Sequence, residues 1–158
     1  MDTKEILVDE KVPLKSRVWV SIADAACAML NTFIVSVGLT YYFTSFRGLN
    51  AELAATVWLL FGIWNAINDP LFGYISDRTK NSLGRRIPYI RYGAPIIGLA
   101  FILSWIIIGG PNASQATMFI QMTLLLFIFD ALYTAIATSI YVMPFEMAVS
   151  NKARSSIF

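Results

Sequence analysis

Four apolar runs, each close to or beyond the roughly 20 residues that cross a bilayer as a helix, dominate this chain of 158 residues. They cover about 18–44, 53–76, 89–108 and 116–145, and only short polar stretches separate them. A water-soluble fold could not hide so much apolar surface. Only 14% of the residues are charged, against about 25% in a typical soluble domain. The expected class is therefore all-α: a polytopic membrane protein with four transmembrane helices embedded in a lipid bilayer.

The charges set the expected topology. Of the Lys and Arg residues, Arg47 stands alone between the first two runs. All the others lie in the polar tail 1–17, in the loop 77–88, at Arg91, or after the fourth run at Lys152 and Arg154. Cytoplasmic segments carry the excess of Lys and Arg, so both termini are expected in the cytoplasm and the protein in the cell membrane. The tail mixes Asp2, Glu5, Asp9 and Glu10 with its lysines and precedes a run much longer than a signal-peptide core. It is not read as a cleavable signal. Asn112-Ala113-Ser114 matches a glycosylation acceptor, but in a loop so short it is read as coincidence.

Several chemistries are excluded by composition. The chain has no histidine, which removes imidazole metal sites and histidine relays. Its one cysteine, Cys27, sits in an apolar run and reads as a small core residue. No nucleophile–base pairing argues for an enzyme, and no basic face outside the topology-setting loops argues for nucleic-acid binding. Proton or cation chemistry then falls to carboxylates, amides, hydroxyls and backbone carbonyls.

Those groups concentrate on the second run, in Trp64-Asn65-Ala66-Ile67-Asn68-Asp69-Pro70. Asn65, Asn68 and Asp69 share one helical face at spacings of three and four, and Gly73 and Ser76 continue it. Ionisable groups inside a span mark function by default, and this set offers oxygens suited to a small hard cation or a carboxylate that carries H⁺. Pro70 also releases the carbonyl of Ala66 from the helix ladder. The bland reading is a polar patch that glues helices together. Gly62 and Ala66 form a small-xxx-small pair that lets a helix approach. Asp24 and Asn31 on the first run, and Asp130 and Tyr141 on the fourth, are candidates for a solute cavity. Asp24 has an alternative reading as a partner of Arg17 or Arg91. Thr134 lies one turn beyond Asp130.

The loop after the second run carries Asp77-Arg78 and Gly84-Arg85-Arg86. A solvated positive-inside loop explains the arginines but not Asp77, whose charge opposes the dipole at a helix carboxy end. A partner is expected, with Arg85 or Arg86 placed to supply it.

Together, Gly73-x-x-x-Asp77-Arg78 and Gly84-Arg85-Arg86 resemble the loop motif between the second and third helices of the major facilitator superfamily. The wider pattern is similar to its glycoside–pentoside–hexuronide:cation symporters, the melibiose permease group. Tyr41-Tyr42-Phe43-Thr44 before Gly48-Leu49, the stretch Trp64 to Pro70, Tyr133-Thr134, Pro144-Phe145-Glu146 and Arg154 carry the likeness over nearly the whole chain. The resemblance implies the first four helices of a twelve-helix fold. It places Asn65, Asn68, Asp69 and Thr134 on a coupling site for Na⁺ or H⁺, with Asn65 where the group carries an aspartate. Gly73, Asp77, Arg78, Gly84, Arg85 and Arg86 fall on a cytoplasmic gating motif. The group's sugar-binding acids fall on Met29 and Ala137, neither of which accepts a bond from a sugar hydroxyl. Tyr141 falls on an aromatic platform.

The leading expectation is a cation-coupled symporter of a sugar, glycoside or related small solute, working by alternating access. It needs no cofactor beyond the coupling ion. The chain is expected to be an amino-terminal part of it, completed by further helices, with 146–158 opening the next cytoplasmic loop. The other reading is a four-helix structural or assembly subunit, or an inactive transporter fragment.

Overall fold

A computed structural model describes residues 12–36 and 38–147, and it is helical throughout apart from the connections. The tail over 1–11 and the segment from 148 onward, with Lys152 and Arg154, lie outside the described residues, as do the side chains of Pro144 and Glu146. The helices are α1 (Leu14–Asn31), α2 (Gly38–Tyr41), α3 (Ala51–Arg78), α4 (Ile87–Ser104) and α5 (Gln115–Met147). Two wider turns with i→i+5 bonding, Thr32–Ser36 and Tyr42–Phe46, follow α1 and α2. They make Leu14–Phe46 one span of 33 residues, about 50 Å at helical rise and longer than the hydrocarbon core, which favours tilt.

Among the described residues three segments are long and apolar enough to cross a membrane: Leu14–Phe46, Ile87–Ser104 and Gln115–Met143. The 28 residues of α3 suffice in length but not in apolarity. Its middle carries Asn65, Asn68 and Asp69, so the groups that suggest function are the ones that dilute its membrane signal.

The chain packs around α5. Met122, Leu126, Phe129, Ile136 and Ile140 are buried along it, and with Tyr133 they step by four, three, four, three and four. That alternation lays a seam of side chains against neighbouring helices at a shallow crossing. Its principal neighbours are α3 and α4, with α1 next. Against α4 the approach is close. A β-carbon on Gly93 would stand 2.9 Å from Ile136 Cγ1 and 3.0 Å from its Cδ1. No helix approaches Gly62, where a β-carbon would meet nothing within 4 Å, so the Gly62/Ala66 face is open.

Side chains close the end of the bundle that holds Arg47. Gly48, with φ 73°, turns the chain out of Tyr42–Phe46, and Leu49 N–H donates back to the Phe43 carbonyl at 2.8 Å. Gln115 then clips the turn. It accepts from Asn50 N–H at 2.9 Å and donates to the Gly48 carbonyl at 2.8 Å.

The expected third span to Ile108 stops as a helix at Ser104, because the next carbonyls find partners elsewhere. Tyr42 Oη donates to Trp105 O (2.9 Å), Gln121 Nε2 to Ile106 O (2.6 Å) and Arg47 Nη2 to Ile108 O (3.0 Å). The free carbonyls of a helix end must be met by something, and here three side chains from two other segments meet them.

Candidate cation-binding site

The polar stripe of α3 faces α5. Asn68 is fully buried, and its Nδ2 donates to Asp130 Oδ2 at 2.9 Å and to Thr134 Oγ1 at 3.1 Å. The Thr134 hydroxyl in turn donates to Asp69 Oδ1 at 3.0 Å. Asn65, with its NH₂ turned to the carboxylate, donates to Asp69 Oδ2 at 3.2 Å and Oδ1 at 3.3 Å. The arrangement follows from spacing. Residues 65, 68 and 69 lie on one face of α3, and 130 and 134 lie one turn apart on α5. Asn65, Asn68, Asp69 and Thr134 thus come together as one network, and Asp130, expected along a solute cavity, joins it.

Burial grades across this network. Asp130 and Thr134 are each 5% exposed, Asn65 is half-buried, and Asp69 reaches the exposed surface of the bundle. Trp64 closes the side toward α5. Its indole stacks on Phe127 with centroids 5.0 Å apart and planes 10° from parallel. Its N–H lies beside Asp130 yet meets no hydrogen-bond geometry. Asn68 Oδ1 is likewise buried and unpartnered. Helix α3 runs unbroken through Pro70, so the Ala66 carbonyl lacks the N–H that residue 70 would have given.

The other cavity candidates do not join this cluster. Asp24 and Asn31 are half-buried on α1, and Tyr141 is exposed on α5. Among the described residues no salt bridge ties Asp24 to Arg17 or Arg91. Asp24, Cys27 and Tyr141 instead lie within electrostatic reach of the Tyr133 phenol. Met29 is 63% exposed, and Ala137 is buried.

At the opposite end of α3 the loop motif forms a clamp. Arg86 is buried and reaches back with two nitrogens: Nη1 donates to Ser76 Oγ and Nη2 to Asp77 Oδ1, both at 2.6 Å. Asp77 therefore finds its expected partner in Arg86. Arg85 is exposed and lines a cleft with Asp77, Arg78, Thr79 and Lys80. The Arg78 guanidinium lies 4.2 Å over the Tyr74 ring, a favourable cation–π geometry. Gly84 sits at φ 93°, where a β-carbon is strained. Gly73 has open space around it, and a β-carbon there would meet nothing within 4 Å.

Gln121 belongs to no motif, and the sequence pattern does not single it out as a site residue. It is 5% exposed, and besides capping Ile106 it accepts from Arg47 Nη1 at 3.4 Å. A polar residue at a buried seam position was the available signal.

Comparison with known proteins gives matches consistent with this architecture. The symporter YnaJ of Bacillus subtilis (strain 168), described as uncharacterized, is 35% identical over 94 residues, 59% of this chain and 20% of that protein. YagG of Escherichia coli (strain K12), provisionally described as a glycoside/cation symporter, is 24% identical over 147 residues, 93% of this chain and 31% of that protein. An isoprimeverose transporter of Lactiplantibacillus pentosus is 27% identical over 125 residues, 79% of this chain and 25% of that protein. The chain thus spans less than a third of the length of these curated relatives. No solved structure gives a significant match. The family model described as MFS/sugar transport protein matches residues 20–158, and the chain belongs to that family.

Proposed function

We propose that the full-length protein is a cation-coupled symporter of a sugar, glycoside or related small solute, seated in the cell membrane with the amino terminus and the 77–88 loop in the cytoplasm. The observation that carries this reading is the hydrogen-bonded network joining α3 to α5 through Asn68, Thr134 and Asp69. It sets a carboxylate among amide and hydroxyl oxygens inside an apolar bundle, a chemistry that suits Na⁺ or H⁺. Asn65, Asn68, Asp69 and Thr134 bind the coupling ion. Asp69 is exposed on the bundle surface, so the ion has a route in without crossing the packed seam. Asp24, Asn31 and Tyr141 line the path of the solute.

The clamp of Arg86 on Ser76 and Asp77 holds the loop end of α3 against α4, and with Arg78 and Arg85 it supplies the bistable contact that alternating access needs. Relatives described as symporters and as an isoprimeverose transporter support the solute class.

The test is uptake by the full-length protein in proteoliposomes, with a panel of radiolabelled monosaccharides, disaccharides and glycosides under an imposed Na⁺ or proton gradient. One gradient should accelerate uptake of a panel member, and Asp69→Asn should abolish that acceleration while leaving membrane insertion intact. Gradient-driven uptake that survives Asp69→Asn rules out this ion site.

A further inference from the structure

The ion site as proposed holds one carboxylate, Asp69, yet a second sits on the same network. Asp130 accepts from the Asn68 amide that also binds Thr134, and the Thr134 hydroxyl donates to Asp69. Two acids from two helices therefore share one network, in which Asp130 takes the Asn68 amide and Asp69 takes the Thr134 hydroxyl and the Asn65 amide. Neither has a Lys or Arg partner among the described residues.

Asp130, 5% exposed and held by a single amide donor, needs a positive charge beside it when ionised, since a buried carboxylate is costly unless compensated. A second observation points the same way. Asn68 Oδ1 is fully buried with no donor facing it, and it belongs to the amide that donates to Asp130 and to the Thr134 hydroxyl. A bound water would satisfy that oxygen but leave both charges, and an anion would worsen them. A small cation satisfies both, because carboxylate and amide oxygens are the ligands that hard cations take. Among the described residues no three acidic, thiolate or imidazole groups converge, so the site lacks the ligand set that a transition metal takes.

We propose that Asp130 is the second anionic ligand of the coupling-cation site, binding Na⁺ or Li⁺ together with Asp69 and the Asn68 carbonyl oxygen. This rests on the ion site proposed for Asp69. It also accounts for an amide at position 65. The second carboxylate comes from α5, beside Thr134, so each of the two helices gives the ion an acid and position 65 need not supply one.

The test is isothermal titration of the purified full-length protein with NaCl and LiCl against choline chloride of equal ionic strength. Asp130→Asn is expected to weaken Na⁺ affinity at least about tenfold. Adding Asn65→Asp, which sets a carboxylate beside Asp69 at the position of the Asn65 amide, is expected to recover most of that loss. Recovery of this kind is not expected if Asp130 only holds helices together.

Affinity unchanged in Asp130→Asn but lost in Asp69→Asn overturns the role of Asp130 and leaves the ion site standing. Affinity unchanged in Asp69→Asn overturns the ion site itself, and the absence of any Na⁺ or Li⁺ binding in the native protein overturns both as metal sites. If Asp130→Asn does not fold, Asp130→Glu asks the same question: a shift of threefold or more supports the ligand role, and no shift overturns it.

Discussion

A buried amide costs free energy unless its polar atoms are met, and Asn68 spends its NH₂ on two partners from another helix while its oxygen goes unmet. Thr134 is the hinge of this chain of bonds, since one hydroxyl both accepts from Asn68 and donates to Asp69. Thr134→Val keeps the shape and removes both bonds. It should cost about 1–3 kcal/mol, the usual penalty for stranding a buried donor, and lower the melting temperature of the full-length protein, whereas Thr134→Ser should stay near native. Equal melting of the two variants would show the hydroxyl to be idle. Arg86 makes the same argument at the loop. Lysine is a point charge and cannot fork onto Ser76 and Asp77 together, so Arg86→Lys should lower the melting temperature measurably. Most of the loss comes from the buried Ser76 side, because Asp77 is 64% exposed and exposed pairs contribute little. The face shared by Asn65, Asn68 and Asp69 was legible from spacing alone. That Asp130 turns to Asn68, and which of Arg85 and Arg86 takes Asp77, was not, because both depend on the register of one helix against another.

At the scale of elements, four helical rods were legible because length and apolarity speak for themselves, and the family resemblance fixed their order. Helix ends were less so. The apolar residues Ile106 to Ile108 prolong the hydrophobic run, but Tyr42, Gln121 and Arg47 claim the carbonyls of that turn and the helix gives way. Gln121→Leu removes a cap and strands a carbonyl, and amide exchange in the 104–110 segment should rise, with the centre of α5 unaffected. Packing of α4 on α5 allows a sharper test. Gly93→Val has no room beside Ile136 and should destabilise by about 1–3 kcal/mol, as overpacking does. Ile136→Ala in the same chain should return part of that loss. Destabilisation that simply adds in the double variant would mean that the two positions do not touch.

For the whole molecule, the distribution of Arg and Lys gives a topology that can be read chemically. Cys27 is the one cysteine of these 158 residues, so Cys27→Ala, in a full-length protein cleared of any others, leaves a background in which single cysteines report their side of the membrane. A cysteine replacing Ser82 should react with an impermeant maleimide only from the cytoplasm, and one replacing Ser114 only from outside. The reverse pattern would invert the fold. The chain spans less than a third of the length of these relatives, and among the described residues the Gly62 face and the edge at Asp69 are open. The stack of Trp64 on Phe127, with the indole N–H turned toward Asp130, has an optical consequence. Indole emission shifts when a nearby charge is neutralised, and this ring is held still beside one. The protein therefore carries its own dye at the proposed ion site: if Na⁺ binds there, emission should change as Na⁺ is added, and Trp64→Phe should silence that response while the signals of Trp19, Trp58 and Trp105 persist.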